Sequence, residues 1–113
     1  MTRFSKTLST LALVLPVLMF AGQAQAAMTG DQIKAAVSGK TLAFTGEFNG
    51  TANFATDGTS SMTLKAGEKN TGKWKIDGDK FCSQWSDWAE ECATWTDEGG
   101  KYVTSNGYTM TPQ

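Results

Sequence analysis

Residues 51–65 read TANFATDGTSSMTLK. Two runs rich in threonine, Thr51–Thr56 and Thr59–Lys65, flank Asp57-Gly58. An aspartate followed by glycine between alternating segments is a strong hairpin signal, because the glycine accepts the positive φ that a tight reversal needs. Working outward, the same pattern repeats. Thr71–Ile76 and Lys80–Trp85 flank Asp77-Gly78-Asp79, and Cys92–Thr96 and Lys101–Ser105 flank Asp97-Glu98-Gly99-Gly100. Asn106-Gly107 turns the chain into Tyr108–Thr111. Upstream, Leu42 and Phe44 alternate with polar neighbours, and Asn49-Gly50 marks a turn between Phe48 and Thr51. Asp57, Asp77 and Asp97 each open a turn at a regular spacing, which suits a meander of short strands better than an internal duplication.

The segment before Lys40 follows a helical period instead. Thr29-Gly30-Asp31-Gln32 has capping-box spacing, Ile33, Ala36 and Val37 form one apolar stripe, and Gly39 offers a stop. A helix over Gly30–Ser38 is too short to stand alone and must dock on something. The fold class expected is mainly β: a small antiparallel meander barrel or strongly curved sheet of about eight short strands with one short N-terminal helix at an open end or edge. Curling hides the sheet's edges and covers its apolar face. Leu42, Phe44, Phe54, Leu64, Trp74, Ile76, Phe81 and Trp95 are the expected inward set.

The remaining N-terminal residues follow different rules. Arg3 and Lys6 precede an unbroken apolar run, Leu11–Phe20, and Ala24-Gln25-Ala26 ends in small residues. Residues 1–26 therefore read as a secretory signal peptide with cleavage before Ala27. The run is too short for a stable membrane anchor and contains Pro16. The product is expected in the periplasm or secreted, as a single β-rich domain over residues 27–113. Removing 26 residues from 113 leaves 87, with eight lysines, no arginine and eleven acidic residues, so the formal charge of −1 becomes −3. That balance gives no footprint for nucleic acid. The larger apolar side chains that remain are few, so the core is thin.

Cys82 and Cys92 then acquire a role. They are the only two cysteines, in a chain bound for an oxidising compartment, and their spacing is not that of a C-x-x-C redox pair. A structural disulfide is expected. The whole chain contains no histidine, which removes histidine general bases, triads and metal ligands. Asp77-x-Asp79 resembles the start of a calcium loop, but Lys80, Phe81 and Cys82 follow where ligands and a glycine belong. No metal site, cofactor or catalytic residue is assigned, and the domain is read as non-enzymatic.

The densest stretch is Phe81–Trp95, FCSQWSDWAEECATW. A Cys82–Cys92 bridge pins a loop that presents Trp85, Asp87, Trp88, Glu90 and Glu91, the candidate ligand- or partner-binding residues. A rigidly held aromatic buries much area at small entropic cost. Trp88 at the centre is read either as a contact residue or as a lid folded back over the core. The partner expected is a protein, a glycan or a small apolar ligand.

The ordered set Gln32-Ile33, Ser38-Gly39-Lys40-Thr41, Asp57-Gly58-Thr59, Gly72-Lys73-Trp74-Lys75-Ile76 with Gly78, Cys82 with Trp85, and Cys92 resembles small exported proteobacterial proteins of unknown function. That resemblance implies a secreted β-rich domain and supplies no catalytic residues. Gly100-Lys101-Tyr102-Val103-Thr104 is more faintly similar to a strand of periplasmic inhibitors of C-type lysozyme, which implies inhibition of a lysozyme as the alternative function.

Overall fold

A computed structural model describes residues 26–113, so all of the expected signal segment except Ala26 lies outside the described residues. The order of elements is α1 (Gly30–Val37), β1 (Lys40–Thr45), β2 (Gly50–Phe54), β3 (Thr59–Leu64), β4 (Lys69–Asp77), β5 (Lys80–Trp85), β6 (Glu91–Ala93), β7 (Trp95–Asp97), β8 (Tyr102–Thr104) and β9 (Thr109–Pro112). All nine strands belong to one antiparallel sheet with the spatial order β6-β5-β4-β3-β2-β1-β9-β8-β7. The sheet curls into a nearly closed barrel with one short helix, the fold class that the alternation and turns imply.

The two outermost strands, β6 and β7, are neighbours in sequence, separated only by Thr94. The alternation predicts one strand over Cys92–Thr96. The structure divides it: Phe81 faces Ala93 on one side of the break, and Trp95 faces Thr104 on the other. A single bent run thus gives its first half to β5 and its second half to β8, which brings the sheet round on itself. Thr94 stays tied to the β8 side, since the Ser105 N–H donates to its carbonyl at 2.9 Å. Beside β7, Ala27 bridges to Thr96 and the Met28 N–H donates to the Trp95 carbonyl at 2.8 Å. The chain's own N-terminal residues therefore cover part of the edge that closure leaves open.

The helix closes one end. Its capping box forms as the spacing predicts: Thr29 Oγ1 accepts from the Gln32 N–H and Gln32 Oε1 accepts from the Thr29 N–H. Helical geometry ends at Val37, one residue before the expected limit. Ile33 and Val37 are fully buried against the barrel, each contributing about 1.5–3 kcal/mol of burial. Helix α1 packs on β1, β4 and β5. Its first residue presses on the β4–β5 turn, where the Gly30 N–H donates to Asp79 Oδ1 at 2.8 Å. A Cβ at Gly30 would lie 2.1 Å from the Gly78 carbonyl oxygen. Asp79 thus holds the helix rather than opening a cation loop.

Six of the eight expected inward residues are buried; Leu64 and Ile76 are half-buried and pack on the same core. The interior is aromatic near the helix. Phe81 lies 5.2 Å from Phe54, 6.0 Å from Trp74 and 5.1 Å from Trp95, measured between ring centroids. Trp74 satisfies its indole by donating from Nε1 to the Ala55 carbonyl at 2.8 Å. If the helix is clamped through its first turn, Gly30→Ala should lower the unfolding free energy by about 1–3 kcal/mol through overpacking. Asp79→Ala should lower it by about 1 kcal/mol through the lost cap. Urea titration followed by circular dichroism reads both, and an unaltered Gly30→Ala protein would contradict the docking.

Candidate functional site

Strand alternation sends every second side chain inward, but the inward residues are not equally large along the barrel. Near the helix they are Leu42, Phe54, Trp74, Phe81 and Trp95. Toward the other end they shrink or become flexible: Ala52 on β2, Met62 on β3, Ser83 on β5, Ala93 on β6 and Met110 on β9. The space they leave is a cavity of about 550 Å³, which these five residues line together with Phe44 and Leu64. Its size is that of a small-molecule site. Methionine side chains in such a wall adapt to different shapes.

The cavity opens at the end away from the helix, among the β1–β2, β5–β6 and β8–β9 connections. Phe48, from the first of these, meets Trp88, from the second, with ring centroids 5.6 Å apart. They are the large hydrophobic side chains left exposed among the described residues, at 40 % and 41 %. Trp88 is therefore neither a buried core residue nor a free projection: it rests on Phe48 across the rim.

The segment carrying Trp88 is held at several points. Cys82 and Cys92 sit opposite each other on β5 and β6 and form the expected disulfide. Cys82 is fully buried, and the bridge fixes a three-residue edge strand to the sheet. The Ser86 N–H donates to the Thr71 carbonyl at 3.0 Å, the Ser86 hydroxyl contacts Asn70 Oδ1, and the Trp88 N–H donates to the Trp85 carbonyl at 3.0 Å.

Of the five residues singled out in this loop, Trp85, Trp88, Glu90 and Glu91 line the cavity. Asp87 does not; its Oδ2 accepts from Asn70 Nδ2 at 3.4 Å, on the β4 side. Glu90 also lies 3.6 Å from Lys75 Nζ, an exposed pair of small energetic weight. Glu91 Oε1 accepts from Asn106 Nδ2 at 3.0 Å, and Asn106 Oδ1 accepts from the Thr104 hydroxyl at 2.6 Å. The first bond crosses the barrel seam and the second braces Asn106, so together they orient the Glu91 carboxylate at the rim.

Glu47, Phe48, Asn106 and Tyr108 also stand at the rim and escape the loop-centred sequence reading. The signal for Phe48 is a large aromatic placed beside a turn, where no strand face can bury it. Tyr108 packs edge-on against Phe44 at 6.0 Å. Burial pushes its phenol above the ordinary tyrosine range, a backbone hydrogen bond at Phe48 opposes this, and the negative charges of Glu47 and Glu91 push it further up. Among the described residues no cluster of acids and cysteines has the arrangement of a metal site. The Gly100–Thr104 stretch forms the β7–β8 turn and β8. Gly100 and Tyr102 lie beside the helix, and Thr104 reaches the cavity wall. No protein-family model matches the chain, and no curated protein or solved structure matches it either.

Two consequences are measurable. Replacing both cysteines with serine should cost roughly 2–3 kcal/mol in the chain-entropy picture of a loop this short, read as a lower urea midpoint than that of the oxidised protein. Tyr108, with its folded pKa above the ordinary value of 10.0, contributes stability that is fully present below the unfolded pKa. That contribution is lost as pH rises through the folded one. Ultraviolet difference titration should show a late-ionising tyrosine that disappears in Tyr108→Phe.

Proposed function

We propose that the protein is an exported, non-catalytic binding domain that takes a small apolar ligand into the open half of its barrel. One observation carries this reading: an apolar cavity of about 550 Å³ whose mouth is flanked by a tilted Phe48–Trp88 contact. Burying such a ligand against Phe44, Met62, Leu64 and Met110 supplies the hydrophobic driving force. The disulfide supports the reading because it limits the ordering that binding must impose on the Trp85–Glu91 wall. The chain's lack of histidine favours binding over catalysis. The basic Arg3 and Lys6 before Leu11–Phe20 support export to the periplasm or beyond.

The test is binding of Nile red, a neutral apolar dye, to oxidised residues 27–113. Its emission should rise and saturate at one equivalent. Filling the cavity with Ala52→Leu or Ala93→Leu should weaken binding at least about tenfold while the urea midpoint holds or rises. Undiminished binding in stably folded Ala52→Leu and Ala93→Leu proteins would place the dye elsewhere and overturn the reading.

A further inference from the structure

The charged residues lining the cavity are Glu47, Glu90 and Glu91, and all three belong to the connections or strand end that form its mouth. No lysine lines it, although eight lysines remain on the domain. The nearest cation in ion-pair range is Lys75, which reaches Glu90 at 3.6 Å with 62 % of its side chain exposed. Water screens that pair, and it leaves Glu47 and Glu91 without a lysine partner among the described residues.

Glu91 is also oriented. Its Oε1 is held by Asn106 Nδ2 at 3.0 Å, so the carboxylate is fixed at the rim instead of sweeping through solvent. Glu47 and Glu91 line the same mouth as Tyr108, and their charges add to the burial that raises its phenol pKa. The field at the mouth is thus negative, next to apolar walls of low dielectric that strengthen it. Phe48 and Trp88 add two exposed aromatic faces at the same place, and aromatic faces attract cations.

Apolar interior, acidic rim and aromatic edge together define one ligand class. We infer that the occupant is a cationic amphiphile, with its hydrocarbon part inside the barrel and an ammonium group between Glu47, Glu91 and the Phe48–Trp88 pair. An anionic amphiphile of the same shape meets like charge at the entrance, which costs affinity and slows approach. The inference rests on the cavity reading above and specifies which apolar molecules the cavity selects.

Three probes with one chain length separate the two ideas: decyltrimethylammonium, decanol and decanoate, each below its micellar concentration and followed by tryptophan emission and calorimetry. The ammonium should bind at least about tenfold more tightly than decanoate, with decanol between them. Its advantage should shrink as salt is raised, and should vanish in Glu47→Gln/Glu91→Gln while decanol affinity stays unchanged. Equal affinity for all three probes would overturn the cationic preference and leave the cavity reading standing. No binding of any probe, decanol included, would remove both. A preference that survives the double substitution would show that the rim carboxylates do not produce it.

Discussion

The bend at Thr94 is the constraint on which the barrel depends. A strand in a sheet has two edges, and a nine-strand sheet that stays open exposes two of them. Here the run of residues 91–97, which supplies both outermost strands, turns at one residue and divides its hydrogen bonds between β5 and β8. That division fixes where every neighbouring side chain points. Ala93 and Trp95 both face inward and both line the cavity, Trp95 as part of the aromatic cluster around Phe81. The same geometry sets Cys92 against Cys82 on the wall and gives Glu91 its place at the seam beside Asn106. Ala27 and Met28 then complete the edge that β7 presents.

A domain with few large apolar side chains cannot pack such a barrel evenly. The structure concentrates its bulk near the helix, where Ile33, Val37, Phe54, Trp74, Phe81 and Trp95 meet. In the opposite half Phe44, Leu64, Trp85 and Tyr108 are interspersed with alanine, methionine and serine. The thin core inferred from composition and the cavity seen in the fold are one fact viewed at two levels. Filling the remaining volume would add stability, and the Phe48–Trp88 contact shows that aromatic area is instead placed at the opening.

Much of the architecture was legible in the sequence because it is written in local rules. Asp57-Gly58, Gly78-Asp79 and Gly99-Gly100 mark reversals through backbone conformations that glycine adopts easily, and Thr29 with Gln32 marks the helix start through paired hydrogen bonds. The Thr94 bend was not legible, because alternation continues unbroken through it: Ala93 and Trp95 are buried, and Cys92 and Thr94 are exposed. A change of hydrogen-bonding partner leaves no trace in a period-two pattern. The rim was half legible. Trp85, Trp88, Glu90 and Glu91 stood out by density within one pinned loop. Phe48 is far from Trp88 in sequence, so only the closed sheet brings them together. Asp87 shared that density yet faces β4, since the loop must anchor itself to the wall as well as line the mouth.

The two sides of the rim are not equally stiff. The Trp88 side is fastened by a covalent bridge and by backbone and side-chain bonds to β4. The Phe48 side is a short reversal braced by Asn49, which accepts from the Gly46 N–H through its side chain and from the Lys65 N–H through its carbonyl. An opening motion concentrates where restoring forces are weakest. The mouth is braced unevenly, with Trp88 on the covalently fastened side and Phe48 on the side held by hydrogen bonds alone. A reducing environment, by cutting the bridge, would remove the covalent restraint and leave both sides of the mouth held by hydrogen bonds.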